Sequence, residues 1–214
     1  HRVLNSLIDS LEIDGVISDN RLGMHSLKIP TVIITHQLKV LSGRTTWLTT
    51  LAHHYYIEKF DACWVPDISG KESLSGSMSK PKRALAIPTK YIGVLSRMKL
   101  SVLDYKYKCI AVLSGPEPQR TLLKDILVKE LRKLPGKVLL VEGNICEEQE
   151  SYTKGNLTVV NFLTSRQLEK AINESEVVIA RSGYTTIMDL AHLQKKSFFI
   201  PTPRQPEQEY LAKK

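Results

Sequence analysis

The feature that most constrains this chain is a series of short apolar runs separated by amphipathic segments. Thr31-Val32-Ile33-Ile34-Thr35, Ala62-Cys63-Trp64-Val65, Cys109-Ile110-Ala111-Val112-Leu113, Lys137-Val138-Leu139-Leu140-Val141 and Val177-Val178-Ile179-Ala180 are continuously apolar rather than alternating. A strand apolar at successive positions is buried on both faces, as happens when helices cover a parallel sheet from either side. Between the runs, "TTWLTTLAHHYYIEKF" (45–60), "EPQRTLLKDILVKELRKL" (117–134), "SRQLEKAINES" (165–175) and residues 184–193 carry helical periodicity.

The expected fold class is therefore α/β, with two parallel-sheet, Rossmann-like halves and right-handed crossovers. Gly15–Ile17, Leu157–Val160 and Ser197–Ile200 add further strands, and "PEQEYLAKK" reads as a final helix. Residues 1–98 make the first domain, the polar stretch 99–107 a linker, and 108–214 the second domain. Ser69 to Pro88, rich in Ser, Gly, Lys and Pro, predicts an exposed excursion.

Charge and cysteines narrow the function. The formal net charge is +8 over 214 residues, but basic residues are dispersed apart from "KPKRALAIPTK" (80–90). No aromatic-rich basic ribbon accompanies them, so nucleic acid is not the expected partner. The balance suits a phosphorylated ligand or an anionic membrane surface. Cys63, Cys109 and Cys146 are far apart, have no metal-ligand spacing and are odd in number. That predicts a reducing, cytoplasmic setting.

In a doubly wound sheet, ligands bind in the loops at the carboxyl ends of the strands. Four loops qualify in the second half: Ser114–Gln119, Glu142–Ile145, Asn161–Ser165 and Arg181–Tyr184. The last is the strongest. Ser182 can cap the following helix, Gly183 lets a ligand approach the backbone, and the amides of Gly183, Tyr184 and Thr185 are placed to hold a diphosphate. Thr185 and Thr186 add hydroxyls. Asp189, six residues beyond Gly183, is either a ribose ligand or a solvated surface acid on spacing alone. "FIPTPRQPEQEY" (199–210) puts Gln205, Gln208 and Glu209 near a helix start, where they suit sugar hydroxyls. His36 ends the strand "TVIIT", a place for a base or an anion contact. His53 and His54 lie mid-helix without partners at ligand spacing.

With these residues in view, "VVIARSGYTTIMDLAHLQKKSFFIPTPRQPEQEYLAKK" resembles the donor-binding segment of family 28 glycosyltransferases. The pattern is apolar strand, Arg-Ser-Gly, small residues, an acid, a strand, Pro and a glutamine-bearing helix. "TVVNFLTSRQLEKAINESEVVIARSG" resembles that family's preceding segment, and "GVISDN…KIPTVIITHQL" with "YIGVLSRM" resembles the end of its amino-terminal domain and the crossing between domains.

The resemblance implies the GT-B architecture with an incomplete amino-terminal domain. It implies transfer of a hexose-type sugar from a nucleotide diphosphate, UDP foremost, to an acceptor hydroxyl, with inversion and without a metal or other cofactor. Carried over, the backbone of Leu163 would read the base; Ser182, Gly183, Tyr184 and Thr185 would meet the diphosphate; Asp189 the ribose; Gln208 and Glu209 the donor sugar. Ser114 is a further candidate contact. Here Asp189 stands where the family usually has Glu, and "SGPEPQR" replaces its glycine-rich loop. The amino-terminal glycine-rich loop where the base is expected is not in this sequence, which leaves His36 as the candidate within it. The acceptor stays open, a lipid-linked one at the inner face of the membrane among the options. A nucleotide-sugar epimerase or hydrolase on the same fold, and a non-catalytic donor-binding subunit, are the competing readings.

Overall fold

In the computed structural model, which describes residues 2–214, these residues form two units, one of residues 2–95 with Lys214 and the other of residues 96–213.

The first unit opens with α1 (Arg2–Leu11), which the periodicity reading did not include. β1 (Val16–Asp19), β2 (Thr31–Ile34), β3 (Ala62–Val65) and β4 (Thr89–Tyr91) follow, and they pair side by side as an all-parallel sheet in that order. A 3-10 turn leads into α2 (Thr46–Ile57), between β2 and β3. The core is one cluster in which Ile57 of α2 and Phe60 pack with Ile33, Cys63 and Val65 from the sheet.

The Ser69–Pro88 excursion is not the exposed loop its composition predicts. Ser73, Ser75, Met78 and Ser79 are buried. The cause is Asp67, wholly buried just past β3. Its carboxylate accepts from the hydroxyls of Ser73, Ser75 and Ser79 and from the amides of Ile68, Leu74 and Ser75. Serines that look soluble in sequence are here the solvation shell of an inward-facing acid.

The second unit carries β5 (Tyr107–Val112), α3 (Gln119–Leu131), β6 (Val138–Val141), β7 (Ser151–Lys154), β8 (Leu157–Val160), α4 (Ser165–Asn173), β9 (Ser175–Ala180), α5 (Tyr184–His192), β10 (Lys196–Phe199) and α6 (Pro206–Leu211). The sheet order is β10-β9-β5-β6-β8-β7, parallel except for the β7–β8 hairpin. Alternate residues of β5 face opposite layers. Ile110 joins Leu139, Val178 and Leu190 on one side; Cys109 and Ala111 join Leu123, Leu127 and Leu131 of α3 on the other. That double burial is the physical content of the continuous apolar runs.

α4 is fixed at its start by a capping box. Thr164 Oγ1 accepts from the Gln167 amide, and the Gln167 side chain accepts from the Thr164 amide.

From β5 the chain winds outward through β6 to β8, then returns through α4 to β9 on the other side of β5. The order thus reverses between β5 and β9, and the loops leaving these two strands diverge there. Such a switch point is where open α/β sheets bind ligands.

Candidate functional site

The loop after β9 is the better built of the two. Ala180 closes the strand, Arg181 and Ser182 are buried, and α5 begins at Tyr184. The expected cap by Ser182 does not form. Gly183 is the N-cap, with no side-chain hydrogen bond, because the Ser182 hydroxyl turns inward and donates to the Gln208 carbonyl at 2.7 Å. The positive end of a nine-residue helix is therefore left without a side-chain cap, as an anion-binding end requires. Gly183 has ordinary backbone angles (φ −70°, ψ 140°), and a Cβ built on it would meet no protein atom within 4 Å. Thr185 is exposed beside it, Thr186 half-buried, and the Tyr184 side chain is buried.

Arg181 supports this turn rather than facing a ligand. One guanidinium nitrogen donates to the carbonyls of Ile200 (3.3 Å) and Pro201 (2.8 Å), and another to Gln119 at 3.1 Å. It ties the exit of β9 to the exit of β10 and the start of α3. Burial lowers its pKa, and its Nε has no partner among the described residues.

Asp189 lies half-buried in the second turn of α5, and its Oδ1 accepts from the Ser96 hydroxyl at 2.6 Å. Gln208 and Glu209 sit on α6 and hold the β10–α6 loop. Gln208 accepts from the Thr202 amide (2.8 Å) and donates to Gln205 Oε1 (2.6 Å), while Glu209 accepts from the Arg204 amide (3.0 Å). Leu163 is half-buried with its side chain on the core, so a role at the site falls to its backbone.

The loop after β5 differs. Ser114 is exposed. The start of α3 is already served by Glu117, whose carboxylate accepts from the Thr121 amide at 3.2 Å and pairs with Arg120 at 2.7 Å. The hydrogen bonds from Thr121 and Arg120 hold the Glu117 carboxyl below its usual range. An internal anion thus occupies the place a phosphate would take on α3. Arg120 also donates to the Gly143 carbonyl at 2.8 Å, which cinches the β6 exit to this loop.

The second unit therefore gathers Ser114, Leu163, the Ser182–Thr185 turn, Asp189, Gln208 and Glu209 around the carboxyl edge of its sheet. His36 lies in the first unit, just past β2. Among the described residues, no group of three or more His, Cys, Asp or Glu is arranged to hold a metal ion. Sequence reasoning missed Arg181 as a clamp and Ser96 as a partner of Asp189. The first had a signal, a cation ending a buried strand; the second, 93 positions from its acid, had none.

Residues 110–214 match the family model described as "Glycosyltransferase family 28 C-terminal domain". The second unit is a family 28 glycosyltransferase domain. No curated protein matches the chain significantly in sequence.

Solved structures similar to the whole chain include MurG of Acinetobacter baumannii, with a TM-score of 0.56 and 16% identity over 98% of this chain and 59% of that one. The glycosyltransferase SnogD of Streptomyces nogalater gives 0.57 and 14% over 94% and 58%. The spinosyn forosaminyltransferase SpnP gives 0.57 and 13% over 98% and 64%. The chain thus spans about three-fifths of the length of these structures, and the likeness establishes the GT-B fold. Within the family 28 domain, the β9–α5 turn of the "VVIARSGYTTIMDL" pattern has Gly183 half-buried between the buried Ser182 and Tyr184, and Thr185 exposed after them.

Proposed function

We propose that the chain is the donor-binding portion of a glycosyltransferase that moves a hexose-type sugar from a nucleoside diphosphate, UDP, to an acceptor hydroxyl. The second unit, residues 96–213, holds the donor, and the first unit belongs to the acceptor-side domain. The observation that carries the reading is an α5 N-terminus at the switch point whose N-cap is an open glycine, Gly183, with no side-chain cap, and a carboxylate one and a half turns along.

The diphosphate meets the amides of the Gly183–Thr185 turn, the ribose hydroxyls meet Asp189, the base meets the Leu163 backbone, and the sugar lies toward Gln208 and Glu209. In an inverting displacement the acceptor oxygen attacks C1 as the C1–O bond to the diphosphate breaks. Charge then grows on the leaving diphosphate, where the helix end stabilises it without a metal. His36 is the candidate within this chain for the group that takes the acceptor proton.

For the acceptor, the first unit has a cavity of about 470 Å³ in which Trp47 and Leu51 stand beside Lys39, Arg44, Lys82 and Arg83. Its size is within the ordinary ligand range. Apolar walls with a cationic rim suit an acceptor that joins an apolar body to an anionic group, such as a lipid-linked one at the inner membrane face. Among the described residues no helix is long and apolar enough to cross a membrane.

Calorimetric titration with UDP tests the donor reading. Saturable binding is expected, weakened about tenfold or more in Asp189→Ala, the scale of losing a hydrogen bond to a charged group. Equal affinity of the variant and the parent would remove Asp189 from the site.

A further inference from the structure

Asp189 does not stand alone, and what holds it comes from the segment entering the domain. Ser96 begins the second unit. Its hydroxyl donates to Asp189 Oδ1 at 2.6 Å and accepts from the Met98 amide at 3.1 Å. The amide can only donate, so the proton of Ser96 is committed to the carboxylate and the chain of bonds has one direction.

The strap itself is anchored. Met98 is buried in the cluster containing Leu190 and Leu193. The Lys99 amide donates to Glu169 at 2.8 Å, and the Asn173 side chain bonds Lys99 and Ser101 on either side. Ser96 is thus a fixed donor against one oxygen of an otherwise rotatable acid.

We propose that Ser96 is a positioning residue for nucleotide recognition: it pins one carboxylate oxygen of Asp189 and leaves the other as the acceptor for a ribose hydroxyl. This rests on the ribose role given to Asp189 above. Asp189 sits five residues past the first residue of α5, about 8 Å along the axis at 1.5 Å per residue. A carboxylate at that depth must select between rotamers to meet a hydroxyl, and a short bond to a held serine selects one in advance.

The test compares UDP with 2′-deoxy-UDP in titrations of the full chain, because the ratio of affinities isolates the hydroxyl from everything else. The parent should prefer UDP, and Asp189→Ala should erase the preference. Ser96→Ala should lower it about three- to tenfold, the net scale of one ordinary hydrogen bond, with 2′-deoxy-UDP affinity within about twofold of the parent. Ser96→Thr, which keeps the hydroxyl, should restore the preference, and the Ser96→Ala/Asp189→Ala double variant should match Asp189→Ala alone, as coupled residues do. Ser96→Gly gives the same readout if the alanine variant does not fold.

An unchanged preference in the Ser96 deletions, or equal weakening of both nucleotides, would overturn the positioning role. A parent without preference, or one that Asp189→Ala leaves intact, would instead sink the ribose reading on which it rests.

Discussion

Two glycines at the sheet's carboxyl edge look alike in sequence and are present for opposite reasons. Gly143 has φ +67°, and a Cβ there would stand 2.5 Å from the Leu113 carbonyl oxygen. The fold demands it. Gly183 has unstrained angles and open space, so nothing in the protein forbids a side chain. What a methyl group would obstruct there is a ligand approaching the helix end. Gly143→Ala should therefore destabilise the chain by about 1–3 kcal/mol, through strain and steric overlap, as read from a denaturation midpoint. Gly183→Ala should leave that midpoint within about 0.5 kcal/mol, the usual range for an uninvolved surface position, while weakening UDP binding. Stability lost at Gly183, or affinity kept, would show that the turn serves the fold.

At the scale of elements, the Asp67 loop makes an acid-sensitive joint. Burial raises the Asp67 pKa, but hydrogen bonds from Ser75, Ser73 and Leu74 outweigh it and bring it from 3.8 down to about 2. A depressed folded-state pKa stabilises above the unfolded value and loses that contribution as pH falls through the folded one. The stabilisation, about 2 kcal/mol from a shift of nearly two units, should be present above pH 4 and fade between about 4 and 2. Asp67→Asn should flatten the stability curve over that window; a parallel curve would contradict it.

The same loop shows where sequence reading reached its limit. Composition predicts an exposed Ser-rich excursion because it cannot see that Asp67, two residues before it, faces inward. The central parallel strands β2, β3, β5, β6 and β9 were legible because their runs are apolar, whereas the parallel β4, polar and largely exposed, was not. β7 was not, because an exposed edge strand, Ser151–Lys154, needs no apolar residue and is made by its pairing with β8. The donor turn was legible as strand, small residues and helix. The direction of its serine was not: whether Ser182 caps α5 or holds α6 depends on a carbonyl 26 residues away.

At the scale of the molecule, the division of cores bears on where the chemistry resides. The second unit has apolar clusters on both faces of its own sheet, while the first unit's cluster draws only on residues 22–91. Every residue proposed to meet the donor lies in residues 96–213, as does the Ser96 strap that positions Asp189, whereas His36 and the basic, aromatic-walled cavity lie in the other unit. A fragment of residues 96–214 should therefore fold by itself and bind UDP within about threefold of the full chain, a difference under 1 kcal/mol. Beginning the fragment at residue 102 removes Ser96, Met98 and the Lys99–Asn173 bonds. That shorter piece should bind UDP more weakly and lose preference for it over 2′-deoxy-UDP, even where its circular dichroism matches the longer one. Equal preference in both fragments would place ribose selection entirely within α5 and its neighbours. Failure of the longer fragment to bind would mean that the donor site needs the first unit.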